Sequence, residues 1–533
     1  MSDVEAPALV RERGTAGESL ATALLAVAAL GFLAGWAALF QWLDEGSAPL
    51  GVGLFDWLGG ALAVLGVGLV AVGLAARLGY VDATPSPSAG VPVAVVYGLL
   101  WSAGGGSVGV ALFGAAPIWL PLALAAGAAG SGVALFARED LGATAPAAAV
   151  LVPAGVAVAA GPIGPGWTWE PAWSSAVFPG SELAPILVVA GSVLGAWVAA
   201  KARDGFGARG RETGARVLVG TVVFGTLGVL ALLIGFIVVN GLGAVLTGAS
   251  LNGGRLTVPV IGVALPWIEV PFLTNVTGGL FVDVPGVLPA VVGTLWLVAG
   301  AVAFAVPLGV GAAVFLTEYA ERGRFTQVVE VATNGLWSTP SIVFGLFGLA
   351  FLVPRISGGN SILVGQLVLG FMLLPLVLIT SRESLKSVPD EYRDASAALG
   401  VSKWQTIRSA VLPAAMPGTI TGTILGVGRI AGETAPLLLV FGGAPYPNST
   451  PDVLGSFELT AQPPFVTNEA LLSPASALPY QLYSTITAGV FPKEVFTNQE
   501  FGWGTALVLL LVVIGLYAIG VASRLYFRRK LHE

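Results

Sequence analysis

The stretch RIAGETAPLLLVFGG, residues 429–443, sits in an apolar run of membrane-helix length, yet it places an arginine and a glutamate four residues apart. A charge at the centre of a membrane helix costs about 2.5–3.5 kcal/mol. An i,i+4 ion pair returns only about 0.2–0.5 kcal/mol. Pairing with each other thus repays little of the burial of Arg429 and Glu433, so the pair reads either as a self-paired structural bridge or, because intramembrane charges mark function, as the first candidate for an anion relay. Taken as one helix from Gly418 at about 100° per residue, the stretch puts Gly418, Gly422, Gly426, Arg429 and Glu433 in one sector of about 80°. Small residues at four-residue spacing let a neighbouring helix approach closely. The stripe is thus expected to face protein or a water-filled path, with Arg429 roughly 16 Å along the axis from Gly418.

The rest of the chain has the composition this reading requires. Of 533 residues, 55% are hydrophobic and 10% charged, and mean hydropathy is +0.87; soluble domains carry about 25% charge. An all-α polytopic membrane protein follows. There are no cysteines and a single histidine, His532, next to the C-terminus. Thiolate nucleophiles, disulfides, histidine general bases and Cys/His metal centres are thereby excluded, and no metal or cofactor is expected. The polar, acidic start lacks the form of a cleavable leader, so the first apolar run is expected to stay as a helix.

Apolar windows of about 20 residues recur near 19–40, 57–79, 91–114, 117–137, 144–163 and 182–200. A second set follows near 216–242, 288–318, 335–353, 361–381, 418–442 and 502–526. About twelve transmembrane helices place both termini on one side. With the N-terminus cytoplasmic, all but four of the 24 lysines and arginines fall inside; the exceptions are Arg255, Arg355, Lys493 and the intramembrane Arg429. The tryptophans of GWTWEPAW, 166–173, then lie at the outer interface, where indoles favour the headgroups. A basic loop at 201–216 divides the chain into an N-terminal accessory region of about six helices, 1–215, and a C-terminal domain, 216–533. The first half has almost no intramembrane polarity, so the chemistry is expected in the second.

The segment SVPDEYRDASAALGVSKWQTIRSAVLPAAMPG, 387–418, reads as two short helices around a glycine, forming a knob on the cytoplasmic side. It resembles the EAA loop of binding-protein-dependent ABC importer permeases. Asp394, Ala395, Ser396, Gly400, Ala410, Leu412 and Pro413 occupy the pattern's places with its spacing intact; Asp replaces Glu, Ser the second Ala, and Ala the Ile. FLTEYAERGRF (315–325), PSIVFGLFGL (340–349), RIAGETAPLL (429–438) and SALPYQLYSTITAG (476–489) are similar to the phosphate permeases of the PstA family. The resemblance covers roughly 216–533. It implies a C-terminal type I ABC importer permease core of six helices, centred on about 288–527. It further implies an ATPase-coupling role for the loop and partners that include a second permease of the PstC type, ABC ATPase subunits and an extracytoplasmic phosphate-binding protein. Arg429 and Glu433 are implied in phosphate translocation. Arg382, at the cytoplasmic end of its span, reads more naturally as a charge anchor than as a substrate contact.

No G-x-x-x-x-G-K-[ST] loop occurs; GAAGSGVA, 127–134, lacks the lysine. The chain is therefore expected to be a transporter subunit without an ATPase site of its own. A permease for another tetrahedral oxyanion, sulfate or molybdate, would share the loop and the arginine. A non-transporting membrane scaffold would leave the loop spacing unexplained.

Overall fold

In hydrocarbon a backbone N–H or C=O without a partner costs several kcal/mol, so the apolar windows can only be helices or a closed barrel. In the computed structural model they are helices. The structure describes residues 16–48, 51–81, 83–114, 117–170, 175–257, 264–278, 282–321, 323–463, 465–488 and 495–530, with the side chains of 251–268 left aside. Arg11, Arg13, Arg322, Lys493, His532 and the last residues of the tryptophan-rich stretch lie outside them.

Two compact units divide within one helix, at residues 1–230 and 231–533. The first contains α1 (Ala16–Leu39), α2 (Leu54–Arg77), α3 (Val91–Phe113), α4 (Trp119–Phe136), α5 (Glu139–Ala159) and α6 (Gly180–Arg203). The dividing helix, α7 (Gly207–Leu246), begins in the first unit and ends in the second. Helices pair α1 with α6, α2 with α5 and α3 with α4. Between α2 and α5 the approach is backbone to backbone. A Cβ on Gly155 would lie 2.6 Å from the amide nitrogen of Ala63, and one on Gly59 would lie 2.5 Å from that of Ala159. This unit also holds charges that its apolar sequence did not announce. Glu139 and Asp140, at the start of α5, are fully buried. Glu139 accepts from the backbone N–H groups of Ser86 and Gly207, both at 3.0 Å, and lies 3.4 Å from Arg211. Asp140 meets Arg138 at 3.1 Å and Arg77 at 3.8 Å. Buried acids survive because they are paired and bonded to backbone, and these tie three inter-helix connections to one point.

The second unit continues with α8 (Pro271–Thr274), α9 (Leu288–Val314), α10 (Arg324–Ser338), α11 (Ser341–Phe347), α12 (Val353–Ile356) and α13 (Ile362–Lys386). Next come α14 (Glu391–Ala398), α15 (Lys403–Thr406), α16 (Leu412–Ala431), α17 (Ala435–Val440), α18 (Glu469–Leu472), α19 (Leu478–Ala488) and α20 (Asn498–Lys530). Short two-stranded hairpins decorate the connections. The core is α13, buried against both α9 and α16.

Among the described residues, eleven helices are long and apolar enough to cross a membrane, and a bent pair makes up to twelve. Two expected spans are corrected here. The window at 335–353 is no straight helix: α10 and the run Ser341–Ile356 meet at 103°. The window at 418–442 ends early, because α16 stops at Ala431 and a separate α17 follows. Proline explains both. Pro340 and Pro436 lack an N–H and crowd the preceding turn, and Gly432 adds a residue that weakens a helix. At its other end the rod is longer than expected. A helix runs from Lys403 through a wide π-helical turn at Ile407–Val411 to Ala431, so Leu412 and Pro413 lie within it rather than at a boundary.

Replacing Gly155 with leucine should lower unfolding stability by about 1–3 kcal/mol or more, the cost of overpacking. Denaturant unfolding of the detergent-solubilised chain, compared with Gly60→Leu, where a Cβ meets nothing within 4 Å, measures it.

Candidate functional site

Within the second unit the two breaks lie side by side. α11 packs on α17, where a Cβ on Gly345 would come within 2.7 Å of the Pro436 Cα. The glycine stripe behaves as its spacing predicts, with Gly418 facing Ser384, Gly422 facing Thr380 and Gly426 facing Leu373, all on α13. The same small residues that let α16 lie on α13 bring its last turn, with Arg429, to the junction of the breaks.

Arg429 and Glu433 do meet, but not as neighbours on one helix. Arg429 stands in the last turn of α16, where a cation suits the helix dipole, and Glu433 lies in the break. Their closest approach, Nε to Oε1, is 3.6 Å, beyond hydrogen-bond range. A third residue, missed in the sequence, completes the site. Trp337, next to last in α10, places its ring 4.5 Å from the guanidinium carbon. A cation over an indole gains about 0.5–2 kcal/mol. Guanidinium donors lie in the group's plane, so a ring on one face does not use them. The Arg429 side chain is 37% exposed and Glu433 18%. Arg429 is thus neither sealed in dry packing nor consumed by its carboxylate, and it has donors to spare for an oxyanion. The signal for Trp337 in the sequence is Trp-Ser-Thr-Pro, 337–340, an aromatic at a proline-marked helix end.

Two turns back along the same face of α10, Glu330 pairs with Arg382 of α13. With Thr333, Asn334, Glu383 and Lys386 they line a polar cavity of about 250 Å³. Arg382 is therefore held against α10, not left as a free anchor.

The knob is built as the sequence suggested. Two residues past the end of α14 stands Gly400 at φ +70°, a left-handed conformation that favours glycine. A Cβ there would meet nothing within 4 Å, so backbone, not space, demands glycine. Ser402 and Gln405 form a reciprocal capping box that starts α15. α14 buries no residue; Asp394 and Ala395 are exposed and Ser396 half-buried. Tyr392 and Leu399, 50% and 80% exposed, offer apolar area at its tip.

Discontinuous helices meeting inside a helical membrane unit, with an unspent arginine at the meeting point, define a membrane transport component. The chain belongs to the family described as binding-protein-dependent transport system inner membrane component, matched over residues 305–533. It is 33% identical over 224 residues to a probable ABC transporter permease, YqgI, of Bacillus subtilis, an alignment covering 42% of this chain and 72% of that one. It is 35% identical over 228 residues to the phosphate transport system permease protein PstA 1 of Mycobacterium tuberculosis, covering 43% and 67%. With the phosphate transport system permease protein PstA of Xylella fastidiosa, identity is 32% over 272 residues, covering 51% and 85%. The chain is accordingly a multi-pass membrane permease subunit, of a kind that works with ATPase subunits and a substrate-binding protein.

The chain lacks cysteine, so water access at the site can be read by single-cysteine labelling. Arg429→Cys should react with a membrane-impermeant anionic thiol reagent at least about tenfold faster than Leu425→Cys, one turn away and 53% exposed, because thiolate formation needs water. Equal rates would place the junction in lipid.

Proposed function

We propose that this chain is the translocating permease subunit of an ATP-driven phosphate importer and that Arg429 is the residue phosphate meets. One observation carries the reading: the guanidinium of Arg429, at the junction of two broken helices, touches Trp337 and Glu433 without spending its donors on either. A planar fork of N–H groups matches a tetrahedral oxyanion, and paired charge-assisted hydrogen bonds are the strong ones. Glu433, close enough to balance the charge when the path is empty, accepts the hydroxyl of a protonated phosphate. That pairing favours phosphate over sulfate, which carries no proton at neutral pH.

The chain needs energy from elsewhere. ATPase subunits act on the knob, with Asp394, Ala395, Ser396 and Gly400 at its docking face and Leu412 and Pro413 where it joins the α16 rod. Closure of the ATPases tilts the rod and its neighbours, so that the Arg429 junction opens alternately to either side. A second permease of the PstC type completes the pathway, and an extracytoplasmic phosphate-binding protein delivers the substrate. Both termini lie in the cytoplasm. Residues 216–533 form the permease domain, with its core at about 288–527, and residues 1–215 an accessory membrane region.

Arg429→Ala should reduce phosphate uptake by about 100-fold or more, the loss of two charge-assisted hydrogen bonds, while membrane insertion and assembly stay intact. Uptake of radiolabelled phosphate with sulfate and molybdate as competitors checks this; competition by sulfate at equal concentration would move the substrate to another oxyanion. Gly400→Val forces a β-branched residue into φ > 0, a strain of about 1–2 kcal/mol, and should abolish transport at normal expression levels.

A further inference from the structure

Arg393 does more than continue α14. Its guanidinium donates to Glu318 from Nη2 at 2.8 Å and from Nε at 3.3 Å. It also donates to the carbonyls of Leu385 at 3.1 Å and Val388 at 2.9 Å, and to Asp390 at 3.1 Å. Glu318 is 7% exposed and the Arg393 side chain 24%, so this pair lies largely away from water. The hydrogen bond to Glu318 raises the Arg393 pKa above the ordinary guanidinium value.

The position of Glu318 gives the contact its meaning. It belongs to Phe315–Tyr319, the single wide π-helical turn that ends the α9 rod, and such turns are weak points in a helix. Lys403, from the second helix of the knob, sits over the neighbouring Tyr319 ring at 5.1 Å. Both knob helices thus grip the same turn. Beneath it, Val314 of α9, Leu385 in the last turn of α13, Val388 just after it, and Ile407 and Val411 before α16 form one apolar cluster.

We propose that Arg393 is a positioning residue for transport: its fork on Glu318, together with its bonds to the end of α13, makes the knob and α9 move as one lever. The inference rests on the permease reading above. Hydrophobic contacts in the cluster are non-directional and allow sliding; a multidentate guanidinium fixes orientation as well as distance. Without it, movement of the knob is absorbed in the π-helical turn and never reaches α9.

The test uses the assembled transporter in liposomes and reads phosphate taken up per ATP hydrolysed. Arg393→Gln and Glu318→Gln should each lower that ratio by about tenfold, and Arg393→Lys, which keeps charge but loses the fork, by less. The double variant should be no worse than either single one, because both remove the same link. An unchanged ratio in either single variant, or losses that multiply in the double, would overturn the proposal. A second measurement does not depend on the substrate. Spin labels at Tyr392→Cys on α14 and Leu308→Cys on α9 should hold one separation with and without ATP, and the separation should change with ATP once Arg393→Gln is added. An ATP-independent distance in that variant would sink the lever even if phosphate transport is established; failure of the unmodified transporter to take up phosphate would sink the permease reading and leave the distance test standing.

Discussion

A polypeptide inside hydrocarbon must satisfy its own backbone, and helix breaks are tolerated there only where protein or water covers them. The second unit obeys this by placing its two breaks together, with α11 against α17 and Gly345 against Pro436. Everything that points to transport follows from that arrangement. The end of α16 brings Arg429 to the junction, the end of α10 brings Trp337 over it, and the break supplies Glu433. Neither charge would repay burial in a continuous helix facing lipid. At the junction each has a polar or aromatic neighbour, and the arginine still has donors left for an anion.

The same geometry connects the junction to the knob. One helical rod runs from Lys403 in the knob to Ala431, two residues past Arg429, a length of about 40 Å at 1.5 Å per residue. A displacement at one end of a rod is felt at the other. Arg393 and Lys403 attach the same knob to the turn after α9, so α9 and α16, which both pack on α13, are both tied to it. Under the permease reading, this is how hydrolysis on one face of the membrane changes access to an arginine within it.

The first unit solves a different problem. Its helices contact through glycine, backbone on backbone, the association mode that works without a hydrophobic driving force between helices. Its buried charges gather at one end, where Glu139 and Asp140 lie among arginines and backbone N–H groups. Apolar composition hid that cluster, because apart from Arg138 the partners of these acids lie more than fifty residues away and leave no local periodicity.

Composition and periodicity were enough to establish an all-helical membrane chain. Glycine spacing correctly assigned the face of α16 that meets another helix, and the pattern from Asp394 to Pro413 identified the knob. These are local properties: hydropathy, helical period and turn chemistry act within a few residues of one another. Pro340 and Pro436 were visible too, yet whether a proline kinks a helix or ends it depends on what covers the freed carbonyls, and Pro307, Pro375 and Pro417 stay inside helices. The pairing of the two breaks, the indole over Arg429 and the grip of Arg393 on Glu318 join residues 75 to 92 positions apart. Only the folded chain decides such contacts, because they arise from how helices lie on α13 and not from any signal a single helix carries.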